Sequence, residues 1–168
     1  MATPTSLPAT FVAGNVLTAA QMNDLRGAFR ILQVVTATYA TQTGTTSATY
    51  ATTGLTANIT PSATSSKLLI ACHMPCAISA TGTIGGLRLV QTISGSDTTL
   101  GTWAYALGIE AGTSTNMYGG QTILYEASPN TTSATTITLH SARTAGAGIF
   151  YTNTASQTAT LALFEVSA

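Results

Sequence analysis

Charge is what this chain has least of. Five basic and five acidic residues make up 6% of its 168 residues and cancel to zero, against about 25% charged residues in ordinary soluble domains. A surface so weakly charged has no field to steer nucleic acid or an anionic membrane towards it. The good helix formers Lys and Glu are correspondingly scarce. No apolar run approaches the roughly 18 residues of a membrane helix, and the first fifteen residues lack the basic start and apolar core of a signal peptide. These absences predict a protein made in a cytoplasm, with no nucleic-acid partner and no membrane insertion.

Threonine fills the gap, at about a fifth of the residues, far above ordinary usage. It is β-branched, favours strands, and still offers water a hydroxyl. Hydrophobic residues are 45% of the chain and mean hydropathy is +0.32, which argues against disorder. The composition reads as a β-rich fold with many turns. Its neutral surface suits an assembly better than a free monomer, because net charge helps keep molecules apart.

Residues 1–17 read as an extended arm punctuated by Pro4 and Pro8. Thr18 and Gln21 then form a capping box, and Leu17 and Met22 sit where a hydrophobic staple would. The spacing predicts a helix from Thr18 to about Gln33. Met22, Leu25, Phe29 and Leu32 form an a/d stripe on it for attachment or oligomerisation, and Gly27 weakens it by about 0.5–1 kcal/mol. This gives an N-terminal unit over 1–33 and a β domain over 34–168.

The stretch from Thr53 to Cys72 organises the β domain. Leu55, Ala57 and Ile59 alternate with Thr56, Asn58 and Thr60, the period of a half-buried strand. Pro61 ends that strand, and Leu68 to Cys72 is a continuous apolar run suited to the interior of a layered structure. Two strands are expected within 34–54, and Pro75 and Gly82 should bracket a break. Further strands follow over 87–93, 100–107, 121–127, 135–141 and 159–166. Ser94 to Asp97 forms a hairpin-type turn, and the Gly-rich stretch 108–120 a loop. Eight to ten short strands with regular turns give an antiparallel β-sandwich or barrel.

Three segments carry a resemblance. Thr53-Gly-Leu-Thr56, a short strand, Thr60-Pro-Ser62, then Ser66-Lys67 and an aliphatic strand is similar to the C-terminal domains of many bacteriophage structural proteins. Phe11 to Asn23 followed by Leu25-Arg26 is similar to the N-terminal segment of small phage tail and fibre proteins. Tyr125-Glu-Ala-Ser-Pro-Asn-Thr-Thr-Ser-Ala-Thr-Thr-Ile137 and the closing strand Ala159–Val166 fit the same domains. The β-domain matches run over about 115 residues. The resemblance implies a jelly roll of the trimeric tumour-necrosis-factor type, a fold analogy that does not fix function.

Sites for chemistry are few. Cys72-His-Met-Pro-Cys76 offers one cysteine pair at the wrong spacing for zinc, and the other histidine is distant His140. In an extended strand those cysteines lie about 13 Å apart, beyond the roughly 7 Å a disulfide spans. Buried reduced thiols follow, with no metal and no cofactor. Glu126 and Glu165 could pair as glycosidase carboxylates, but an outward, solvated acid is the ordinary reading in an alternating strand. No base–nucleophile motif is present, so catalytic residues are none. Arg88 is a candidate partner for Glu126 or Glu165. Trp103 and Tyr105 should share one strand face, at the core or a trimer axis. Asn116 and Tyr118 mark a candidate surface-binding loop, and Tyr125 and Tyr151 complete the aromatics that could stack on sugars.

Resemblance and composition together imply a non-enzymatic phage virion protein. It would be a minor tail or tail-fibre component, a homotrimer touching other virion proteins and a host-surface glycan. A capsid decoration protein or head fibre is the alternative within the virion, and a carbohydrate-binding module the alternative outside it.

Overall fold

The computed structural model describes residues 30–108, 117–154 and 157–167. These residues form an antiparallel β-sandwich of ten strands: β1 (Ile31–Tyr39), β2 (Thr43–Thr45), β3 (Ala51–Ile59), β4 (Lys67–Ile78), β5 (Ile84–Ile93), β6 (Ser96–Gly108), β7 (Met117–Ala127), β8 (Thr135–Ala145), β9 (Phe150–Thr152) and β10 (Ala159–Val166). Most of the predicted strands are there, with shifted bounds. The predicted helix over residues 18–29 lies outside the described residues. Its last turn does not exist, because Ile31 to Gln33 begin β1 and pair towards Val166 and Glu165. Leu32 is therefore a strand residue, not the end of a helical stripe. Val34, Val35 and the alternating Thr36, Ala37 and Thr38 favour a strand and win over the capping signal upstream.

Sheet A contains β1, β10, β4, β9, β2 and β7; sheet B has the order β3-β8-β5-β6. In sheet A, the first half of β4 pairs with β10 and its last three residues pair with β9 along the same edge, while β7 runs along the other edge throughout. β1 beside β10 and β2 beside β9 thus act as two interrupted strands, and sheet A is effectively four strands wide. All pairings are antiparallel.

Pro75 does not break β4. It pairs in register with Gly120, and its carbonyl accepts from Asn153 N at 2.8 Å. A strand residue's N and O point to the same side, so the donor Pro75 lacks falls where the ladder passes from β10 to β9. A proline costs little in such a gap.

The core lies between the sheets. Leu68, Ile70, Cys72, Met74 and Ile78 of β4 and Leu161 and Leu163 of β10 meet Leu55, Leu87, Leu89, Ile137 and Leu139 of sheet B. Phe150, fully buried, lies against Gly85 so closely that any β-carbon there would collide with its ring. Two irregularities shape the strands. In β3 the register shifts between Thr52 and Thr56; Gly54 takes φ +89° and the Tyr39 ring covers it. The β5–β6 turn is a two-residue loop, Ser94 at φ 51° and Gly95 at φ 79°, the positive pair of a type I′ hairpin.

Candidate interaction surface

The two outer faces differ in chemistry. On sheet B, Asn58, Thr136, Thr92 and Asp97 form one register row, and Thr56 and Thr138 begin the next. Their polar groups satisfy each other. Thr136 donates to Asn58 Oδ1 at 2.6 Å, Thr92 donates to Asp97 Oδ1 at 2.6 Å, and the Thr56 and Thr138 hydroxyls lie 3.1 Å apart. Arg88 sits further along, its guanidinium 4.0 Å from the Tyr50 ring centre and its Nε donating to Thr102 at 3.1 Å. Burial raises the Tyr50 hydroxyl's pKa against the opposing pull of Arg88. Burial also lowers His140, with Asp97 opposing and Arg88 adding to the shift.

The outer face of sheet A has three zones. Nearest the chain entry, Val34, Phe164 and Leu69 form one row that ends on Glu126, and Ala162, Ala71 and Leu124 form the next, which begins at Thr36. In the middle, Thr38, Thr160, His73 and Thr122 form a polar row, with His73 Nδ1 3.1 Å from the Thr122 hydroxyl. At the far end, Ala77 pairs with Tyr118 on one side and Tyr151 on the other.

The predicted aromatics separate. Trp103 is half-buried and meets Tyr125 edge-on, centroids 6.4 Å apart at 88°. Tyr105 is 82% exposed, so it is not a core residue. Gly85 pairs with Leu107 and Leu87 with Trp103, so β6 carries two more residues than β5 in this interval. The bulge turns Tyr105 out. Tyr118 is 72% exposed, but it stands in β7 rather than in a loop: residues 117–120 pair with Pro75 to Ile78. Gly119 accepts the Leu107 side chain 3.0 Å from its β-carbon position, which is why this Gly-rich stretch is extended. Asn116, Met22, Leu25 and Phe29 lie outside the described residues.

Glu165 is fully buried, not solvated. Its Oε1 accepts from Ser62 N at 2.7 Å, Ser62 Oγ at 2.7 Å and Ser66 Oγ at 2.6 Å. Its Oε2 accepts from Gln33 Nε2 at 2.7 Å, which also donates to Thr60 O at 2.7 Å. Burial pushes this carboxyl's pKa up, yet the Ser62, Ser66 and Gln33 side chains and the Ser62 backbone N–H together hold it below the usual carboxylate value. The sequence signal was phase: Glu165 keeps step with inward Leu161 and Leu163, and two of the three serines in the β3–β4 connection, Ser62 and Ser66, meet it.

Neither predicted Arg88 pairing forms within the chain. Glu126 lies 3.8 Å from Lys67, and Glu165 is held without a cation. Glu126 is outward and Glu165 inward on sheet A, so the two cannot flank one sugar. Cys72 and Cys76 are free and buried, their thiols pushed up to about 12 by burial, with Cys72 adding to the effect on Cys76. His73 points to the opposite face. Among the described residues no three His, Cys, Asp or Glu side chains gather as metal ligands.

No known family model matches the chain, and no curated protein matches it. Solved structures of infectious bursal disease virus are similar. The Gx strain structure is 16% identical, with 81% of this chain and 36% of that chain covered at a TM-score of 0.39. The VP2 subviral particle is 17% identical, covering 81% and 38% at 0.35. The Gt strain structure is 13% identical, covering 95% and 45% at 0.36. The chain spans less than half of each. TM-scores this low do not bear on function.

Proposed function

We propose that this chain is a non-enzymatic bacteriophage virion protein, a minor tail or tail-fibre component that assembles as a homotrimer. The observation that carries this reading is the exterior. Lys67 and Glu126 face each other, Arg88 lies on Tyr50, Arg143 donates to Gly148 O and Asp97 accepts from Thr92. Apart from these groups, Arg30 and His73, the exterior of the described residues is largely hydroxyl, apolar and tyrosine surface. Such a surface suits packing against other subunits better than handling a charged substrate. The phage resemblance of three sequence segments supports the same reading. So does the strand order, β1-β10-β4-β7 over β3-β8-β5-β6, which suits an eight-stranded jelly roll once β2 and β9 are counted with β1 and β10.

Contact with the host surface is a second part of the proposal. Tyr118 and Tyr151 flank Ala77, and two such rings present apolar faces on which a glycan stacks. A capsid decoration protein is the other virion reading, and the test separates them. Gold-labelled antibody against the protein, imaged on intact particles, is expected along the tail or at its tip. Label over the head makes it a decoration protein, and no label on any particle overturns the virion reading.

A further inference from the structure

Arg88 holds an unused hydrogen-bonding edge. Its guanidinium lies on the Tyr50 ring, 4.0 Å from the ring centre, and its Nε donates to Thr102 at 3.1 Å. Stacking occupies the face of the group and leaves its edge open. The two terminal nitrogens meet no carboxylate among the described residues. Thr52, His140, Arg88 and Thr102 form one row across β3, β8, β5 and β6. The two threonines are exposed, and the histidine and arginine are half-buried. We propose that this row is a binding seat for one acidic sugar, with its carboxylate on the Arg88 fork and its hydroxyls on the flanking threonines.

The fork is planar and matches the two oxygens of a carboxylate. It is also held in place before anything binds. The Tyr50 hydroxyl is buried and sits over Gly86, 2.5 Å from where a β-carbon would be, so the glycine makes room for the ring that carries Arg88. A guanidinium fixed between that ring and Thr102 has little rotamer freedom left to lose. Charge selects the class of ligand. Burial and Arg88 lower the His140 pKa, against the opposing pull of Asp97, so the imidazole is neutral at pH 7. Burial raises the Tyr50 hydroxyl's pKa, so it too is uncharged. The seat therefore carries one positive charge, which a carboxylate balances. A phosphate dianion would leave an excess negative charge on the side of Asp97, which accepts from Thr92. The hydroxyls select a sugar over a bare carboxylate. Thr52 Oγ1 accepts from Gly54 N at 3.1 Å and Thr102 Oγ1 accepts from Arg88, and each keeps its own proton to donate. The seat lies on the opposite sheet from Tyr118 and Tyr151, and it does not depend on the virion reading.

The chain's two histidines make the test. His140 lies in the seat, and His73 on sheet A is the internal control. Their ring signals are followed by NMR in the full chain as sodium glucuronate, sodium acetate or glucose is added at constant ionic strength. Glucuronate is expected to move the His140 signals saturably and to leave those of His73 in place. Acetate should bind at least about tenfold more weakly, the loss of one hydrogen bond's worth of affinity, and glucose should have no effect. A bound carboxylate offsets the Arg88 charge, so the His140 pKa should rise with glucuronate present. Arg88→Lys keeps the charge without the fork, and its midpoint for glucuronate should rise at least tenfold. Equal shifts at both histidines, or none at His140, would overturn the proposal. So would an unchanged midpoint in Arg88→Lys that melts like the parent. Acetate matching glucuronate would remove the sugar from it. The ranking of the three probes is read on the parent chain, so the test holds even where the variant unfolds. Absent shifts would leave the labelling of particles untouched, and absent labelling would leave the shifts.

Discussion

Glu165 is held by hydroxyl, amide and backbone donors rather than by a cation. Four hydrogen bonds converge on it, and charge-assisted bonds of this kind are stronger than neutral ones. Removing the acceptor strands the donors in a buried place, so Glu165→Ala should cost about 2–3 kcal/mol, read by urea denaturation. The carboxyl's pKa is lowered in the folded state, so the folded protein binds its proton less readily than the unfolded chain does. Its contribution is complete above the unfolded value, about 4.3, and is lost as pH falls through the folded value. Melting temperatures of the parent should therefore drop across that acid window, and those of Glu165→Gln should drop less. Equal slopes would show that Glu165 is not the titrating group.

Among the elements, β3 shows how a local exception serves a long strand. Thr53 donates to Leu139 O at 2.8 Å across its bulge, and Gly54 at φ +89° carries the Tyr39 ring. Gly82 also has positive φ, at 71°, but its β-carbon position is open space. Gly82→Ala should cost about 1–2 kcal/mol, the left-handed backbone alone, and Gly54→Ala should cost more because the ring must move as well. Equal losses in chemical denaturation would refute the role given to Tyr39. The alternating strands were legible because their period depends only on neighbours in sequence, as in 135–141 and 159–166. Pro75, Gly119 and Gly120 misled because their surroundings, a ladder handover, the Leu107 side chain and the His73 ring, are not local in sequence. Trp103 and Tyr105 were separated by a bulge that β6 alone does not announce. Glu165's phase was readable; its hydrogen-bond partners, a hundred residues away in sequence, were not.

At the scale of the whole molecule, a trimer held without ion pairs should respond to solvents in a particular way. Exposed charge pairs weaken as salt screens them, whereas apolar contact does not. Sedimentation of the full chain should give a trimer at both 0.1 M and 1 M sodium chloride, and a species that dissociates at high salt would contradict the proposed assembly. Folding should also be slow for its size, because the pairing of β1 with β10 joins the ends of the sandwich and long-range pairing must precede it.

The described ends of the sandwich meet: Ser167 N donates to Arg30 O at 2.9 Å, and Arg30 N donates to Ser167 Oγ at 3.1 Å. This gives the domain a base and a crown. The β3–β4 and β7–β8 connections lie at the base with the described ends, while the β4–β5 turn, the end of β6, the start of β7, Tyr118 and Tyr151 lie at the crown. A domain held by its N-terminal arm would stand on its base and present its tyrosines outward. A cargo fused to the C-terminus would crowd the anchor, whereas the same cargo placed in the 79–83 turn would ride at the tip.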